Sequence, residues 1–256
     1  MNTALFQKYR KLVAQTFVPI FAKDEYDTEV LLAGCDLAGV EVLEYTLRRD
    51  DAAEMLPLLK KRYPNHIVFV GSTIDDERIV YQMRRKYPQL MTVAELSPYV
   101  DGYVSMLPYT DETLNKYRND YIMIPSAETS GEALRQIKSG ATFIKVCGPD
   151  FSLSKTLHAS PVFGYCPTFI TGGVRCERMP EAFACGNLLC AAGFDVILSG
   201  IAAKELTPEL TAERLRTYIE TAKQERNNVF PALADAASLS DDDFINALPN
   251  YCGLLD

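Results

Sequence analysis

Val40-Glu41-Val42-Leu43-Glu44-Tyr45-Thr46 is the stretch on which the reading of the chain turns. Side chains alternate along a strand, so Val42, Glu44 and Thr46 share one face while Leu43 and Tyr45 share the other. Similar short apolar or β-branched runs occur at Phe17-Ala22, His66-Gly71, Gly102-Leu107 and Tyr121-Pro125. Others follow at Thr142-Val146, Gly164-Ile170 and Asp195-Ser199. Helical patterns lie between them at Tyr26-Gly39, Asp51-Arg62, Asp76-Tyr87, Ser130-Gly140 and Cys176-Gly193, and Leu210-Arg226 follows the last strand. Eight strands, most followed by a helix, in 256 residues predict a single-domain (β/α)8 TIM barrel. A doubly wound open sheet is the alternative, but no GxGxxG follows the first strand. The barrel core spans about 17–226. An amphipathic helix at Met1-Thr16 precedes it, and a short helical extension at about 227–256 follows, carrying an acidic patch at Ser238-Asp243.

The balance of 48% hydrophobic and 23% charged residues is that of an ordinary globular protein. A net charge of −8 leaves no broad basic surface for nucleic acid or anionic lipid, so neither is an expected partner. Seven cysteines, at 35, 147, 166, 176, 185, 190 and 252, form no CxxC pair. Several sit in apolar runs, which predicts a reducing, cytoplasmic setting. The apolar stretch Ala182-Ala203 is broken by Gly186, Asn187, Gly193 and Asp195, against a membrane span. The histidines, His66 at the bottom of the third strand and His158 in a Ser152-Ser160 loop, make no ligand cluster, so no metal is expected.

In a barrel, active sites form at the C-terminal strand ends. Glu44 points inward near such an end, and Arg48 follows at the mouth. A carboxylate buried there is expensive unless it is paired or working. Lys145, in Phe143-Ile144-Lys145-Val146, repeats the pattern from the sixth strand. Burial of a lysine amine lowers its pKa and favours the neutral, nucleophilic form, as attack on a keto group requires. A buried Glu44–Lys145 ion pair is the bland alternative. Thr73 ends the third strand, Thr171-Gly172-Gly173 the seventh, and Ser199-Gly200 the eighth. Glycine-rich loops after the last two strands suit an anionic group on backbone N–H donors, although both are also common turns.

These residues resemble the 2-keto-3-deoxy-6-phosphogluconate (KDPG) / 4-hydroxy-2-oxoglutarate (KHG) aldolase family, class I aldolases built as (β/α)8 barrels. The similarity runs from about Val18 to Pro208. Gly39-Val40-Glu41-Val42-Leu43-Glu44-Tyr45-Thr46-Leu47-Arg48 looks like the family's G-(I/V)-x-x-(I/L)-E-(V/I)-T-L-R segment. Ile124-Pro125, Thr129, Glu132, Gly140 and Lys145 match its pattern without a gap, and Cys166-Pro167-Thr168 with Thr171-Gly172-Gly173-Val174 resembles its C/V-P-T-G-G-(I/V) segment with an insertion. The resemblance implies a Schiff base at Lys145, proton transfer by Glu44, and a pyruvate carboxylate held by Arg48 and Thr73. It places the far end of the substrate on Thr171, Gly172 and Gly173. The imine is the electron sink, so no cofactor is implied. A keto-acid substrate, pyruvate and a homotrimer are. Departures cluster on the phosphate side: Ala22 with Lys23 replaces an Arg, and Leu198-Ser199-Gly200-Ile201 stands for a G-x-G-S. The expected reaction is reversible cleavage of a 2-keto-3-deoxy sugar acid or 4-hydroxy-2-oxoglutarate to pyruvate and an aldehyde. The aldehyde would be glyceraldehyde 3-phosphate or glyoxylate, and non-phosphorylated substrates would compete well. A non-catalytic keto-acid-binding barrel and a sugar-phosphate isomerase or epimerase are the alternatives.

Overall fold

The computed structural model describes residues 2–148, 151–159 and 166–249. The expected alternation is present. Eight strands run in chain order: β1 (Phe17–Phe21), β2 (Val42–Thr46), β3 (Ile67–Thr73), β4 (Gly102–Ser105), β5 (Ile122–Ile124), β6 (Ile144–Cys147), β7 (Thr168–Thr171) and β8 (Leu189–Gly193). Helix α1 (Thr3–Gln15) precedes them. Between strands lie α2 (Thr28–Ala38), α3 (Ala52–Arg62), α4 (Glu77–Met83), α5 (Val93–Leu96), α6 (Asp111–Tyr117), α7 (Ser130–Ser139), α8 (Ser152–Ala159) and α9 (Met179–Ala184). Then come α10 (Phe194–Ile197), α11 (Pro208–Val229) and α12 (Asp241–Ala247).

The sheet order is β5-β4-β3-β2-β1-β8-β7-β6, and its ladders are parallel. The two ends of this order meet at a single bridge between Ser126 and Lys145. There the Lys145 N–H donates to the Pro125 carbonyl at 2.8 Å, and Lys145 O accepts from Ala127 N at 3.3 Å. The result is a nearly closed (β/α)8 barrel.

Strand alternation sorts the core into two sets. Leu43, Tyr45, Val68, Val70, Ile144 and Val146 pack outward against the helices. Val18, Ile20, Val42, Phe69, Val104, Ile124, Phe143 and Phe169 fill the interior, where they meet Leu5, Phe6, Tyr9, Leu12 and Val13 of α1. Tyr9 stacks on Phe143 with centroids 5.2 Å apart, and Phe244 of α12 packs edge-on against both Phe6 and Tyr9. Helices α1 and α12 thus plug the N-terminal end of the barrel. Asp101, at the foot of β4, ties the plug to the barrel through Lys8 of α1 at 2.7 Å and also pairs with Lys60 of α3 at 3.0 Å. Buried Arg226 donates to the carbonyls of Val13 and Leu233, and burial pushes its pKa down to about 10. The acidic patch of the extension becomes the first turn of α12, where carboxylates favour the helix dipole. Ser240 caps it, and Asp241 pairs with Arg10 of α1.

Three expectations are corrected here. The eighth strand is Leu189–Gly193, not Asp195-Ser199, and the helix expected over Cys176-Gly193 is a 3-10 turn (Cys176–Arg178) followed by the short α9. Leu188-Leu189-Cys190-Ala191-Ala192 is buried on both faces and lacks polar alternation, so its Leu and Ala residues imitate a helix. Asp195 and Val196 instead lie in α10. The segment around His158 is helix α8 rather than a loop, and His158 packs beside Phe230, away from the mouth. Of the seventh expected strand, Gly164 and Tyr165 lie outside the described residues, as do Pro149 and Asp150 after Lys145, Ser160 of the expected loop, and Cys252. Among the described residues no helix is long and apolar enough to cross a membrane.

Leu12 is fully buried where the plug meets the barrel floor. Leu12→Ala should lower unfolding free energy by about 2–5 kcal/mol, the usual range for a buried leucine truncation, measured by chemical denaturation.

Candidate active site

At the opposite end, the C-terminal ends of the strands enclose a chamber of about 230 Å³. Glu44 of β2 and Lys145 of β6 both line it, and both are buried. Phe143 and Phe169 lie in the layer below. Helix α7 delivers Lys145 to its place. Thr129 and Glu132 form a capping box that starts the helix, and Gly140, at φ 105°, ends it two residues before the strand run Thr142-Val146 begins.

Glu44 occupies space that a neighbour leaves open. A Cβ at position 71 would collide with the Glu44 carboxylate and would lie 2.9 Å from Thr46 Cγ2. Gly71 on the adjacent strand, in register with Thr46, is therefore the condition for an inward carboxylate at this level. Burial raises the Glu44 pKa, and the charges of Lys145 and Arg48 oppose that rise only in part. Glu44 Oε2 has no hydrogen-bond partner, and neither has the buried Thr46 hydroxyl. Lys145 Nζ lies 3.0 Å from Met106 Sδ, a weak acceptor, rather than on the carboxylate. This arrangement differs from a satisfied buried ion pair. An acid and an amine face the same space with bonding capacity to spare.

The remaining expected residues divide. Arg48 is exposed at the rim and lines the chamber. Thr171, Gly172 and Gly173 line it from β7, with both glycines at positive φ. Thr73 does not line it. A register shift between Gly71 and Thr73, with Ser72 at φ 63°, breaks the alternation of β3. Ser72 is thereby turned to the chamber, while the Thr73 hydroxyl bonds the Val104 carbonyl and Tyr109. Ser199 and Gly200 also fall outside the lining, because they follow α10 instead of ending β8. The true end of β8 contributes Gly193 and Asp195. Asp195 pairs with Lys23 at 2.9 Å, placing a neutralised cation where an anion-binding site was expected. Met106 and Cys147 complete features that the sequence did not single out. Among the described residues no three His, Cys, Asp or Glu side chains are grouped as metal ligands.

No family model and no curated protein matches the sequence. Solved structures do share the fold. A KDPG aldolase from Legionella pneumophila, with pyruvate captured at low pH as a covalent carbinolamine intermediate, is 19% identical at TM-score 0.60, covering 81% of this chain and 96% of that one. A 2-keto-3-deoxy-6-phosphogluconate aldolase from Zymomonas mobilis is 18% identical at TM-score 0.59, covering 82% and 95%. A thiamine phosphate pyrophosphorylase from Pyrococcus furiosus is 14% identical at TM-score 0.53, covering 81% and 98%. The likeness establishes the architecture, which serves more than one chemistry.

Two outcomes follow from the setting of Glu44. The folded chain holds the Glu44 proton more tightly than the unfolded chain does, so stability falls as pH rises from 4.5 through the raised native value. Glu44→Gln removes that loss, and its melting temperature relative to wild type should increase with pH across this window. Gly71→Ala should destabilise the protein by about 1–3 kcal/mol, as overpacking does, and by less in a Glu44→Ala background, where the collision is relieved.

Proposed function

We propose that the protein is a class I aldolase that cleaves a 4-hydroxy-2-oxo acid, or a 2-keto-3-deoxy sugar acid, reversibly to pyruvate and an aldehyde. The observation that carries this reading is the shared chamber. Lys145 and an unsatisfied Glu44 carboxylate face one small, largely buried space at the catalytic end of the barrel. The Legionella structure, with its pyruvate carbinolamine, agrees with the same reading.

In this mechanism the Lys145 amine adds to the C2 ketone, and loss of water gives an iminium ion. A group that must both give and take protons works best with a pKa near ambient pH, and burial moves Glu44 in that direction. Glu44 takes the C4 hydroxyl proton through a water molecule. The C3–C4 bond then breaks, its electron pair enters the iminium, and an enamine forms as the aldehyde leaves. Protonation at C3 and hydrolysis release pyruvate and restore the amine. The imine itself is the electron sink, and the proposed chemistry uses no cofactor. Arg48 at the rim holds the substrate carboxylate, with Ser72 in the place expected of Thr73. The loop Thr171-Gly172-Gly173 lines the chamber in which the bond would be cleaved. A cytoplasmic homotrimer belongs to the same reading.

Incubation with pyruvate and borohydride should add one reduced pyruvyl group, located at Lys145 by peptide mass spectrometry. Lys145→Ala should abolish the adduct. Reversible pyruvate binding untouched by borohydride would instead indicate a binding protein, and epimerisation without pyruvate release an isomerase.

A further inference from the structure

Beside the chamber, at the ends of β2, β3 and β4, lies a second cavity of about 400 Å³. Leu47, Ile74, Met83, Leu90 and Leu107 give it apolar walls. Arg48, Ser72 and Met106 line both cavities, so the two share a border. The polar lining of the second cavity is Arg48, Ser72, Gln89 and Thr73, whose hydroxyl is spent on Val104 and Tyr109. Met106 stands between the Lys145 amine and the apolar space. Its thioether meets the amine on one side, and the residue lines the apolar space on the other.

The other side of the chamber is different. At the ends of β1 and β8 the only lining cation among the described residues, Lys23, is already paired with Asp195, and that carboxylate opposes a phosphate. Room for a bulky substituent therefore lies toward β3 and β4, and that room is apolar.

We propose that the apolar cavity receives the C4 substituent of the substrate. This inference rests on the Schiff-base reading above and deepens it. The preferred substrate is a 4-hydroxy-2-oxo acid bearing an aryl or branched alkyl group at C4, and the second product is an apolar aldehyde. A dry cavity of about 150 Å³ suffices for benzene, so this one accommodates a phenyl ring with space remaining. Apolar groups gain by leaving water for such a site, whereas a phosphate there would compete with the C1 carboxylate for Arg48, the cation among the described lining residues. Arg48, on the shared border, remains available for the C1 carboxylate. The covalent steps are those of the retro-aldol cleavage above. The C3–C4 bond breaks, the C4 hydroxyl proton passes to Glu44, and C4 with its substituent leaves as the aldehyde.

The test compares kcat/KM for 4-hydroxy-2-oxo-4-phenylbutanoate, 4-hydroxy-2-oxoglutarate and 2-keto-3-deoxy-6-phosphogluconate. Wild type should prefer the phenyl substrate by about tenfold or more, the scale on which apolar pockets discriminate. Leu107→Glu and Tyr87→Glu, at positions 56% and 40% exposed in the cavity lining, should each reduce that preference by about tenfold. Equal turnover of the three, a preference for either anionic substituent, or a phenyl preference unchanged in both variants would overturn the inference. The pyruvate–borohydride adduct separates the two levels. Labelling at Lys145 without a phenyl preference refutes only the pocket assignment, and absence of labelling refutes the aldolase reading along with it.

Discussion

A carboxylate held inside a barrel without a hydrogen-bond partner on one oxygen is the constraint around which this structure is arranged. Glu44 is 2% exposed, and no neighbouring donor satisfies its Oε2. Such a group destabilises the fold unless nearby charge offsets its lost hydration. Lys145 and Arg48 supply that charge from β6 and from the loop after β2. The adjacent strand presents a glycine at the level of the carboxylate. The strand that carries Lys145 also closes the barrel through its own backbone, so the partner charge arrives with the seam.

The two ends of the barrel have separate tasks. The lower end is filled with aromatic and aliphatic side chains from α1, α12 and the strand interiors, pinned by Asp101 and Arg226. The upper end is hollow and is lined by Glu44, Lys145, Arg48, Ser72 and Thr171. Stability gathered below tolerates the unsatisfied polar atoms above, the usual division in a (β/α)8 barrel. Closed hydrophobic packing and open chemistry are about a strand's length apart, which leaves the chamber free to differ in shape while the floor stays fixed.

Much of this arrangement was legible in the sequence. The inward faces of Val42-Glu44-Thr46 and Phe143-Lys145 follow from strand alternation, and Thr129, Glu132 and Gly140 mark the helix that precedes Lys145. What escaped has identifiable causes. The eighth strand is buried on both faces and composed of Leu, Cys, Ala and Gly, so it has no periodic signature. Its misplacement put Ser199 and Gly200 at the mouth and hid Asp195. The bulge at Ser72 exchanges the roles of two adjacent hydroxyls, and positive φ at a serine leaves no composition signal. Helices α5 and α6 are only 4 and 7 residues long, too short for a hydrophobic period to emerge, although Thr92 and Glu95 do form a capping box. Met106 reaches Lys145 across 39 positions in sequence, a contact only the closed barrel creates.

Gly71 is, in effect, a void fitted to a carboxylate, and this ties the histories of two positions together. A descendant that keeps the acid at 44 is denied a side chain at 71. One that loses the acid gains a gap that a side chain at 71 can enter once the Thr46 methyl, 2.9 Å from a Cβ there, gives way. Once that has happened, restoring the acid alone produces a collision. Loss of the acid would then behave as a ratchet, reversed through a second change at a site outside the chamber lining.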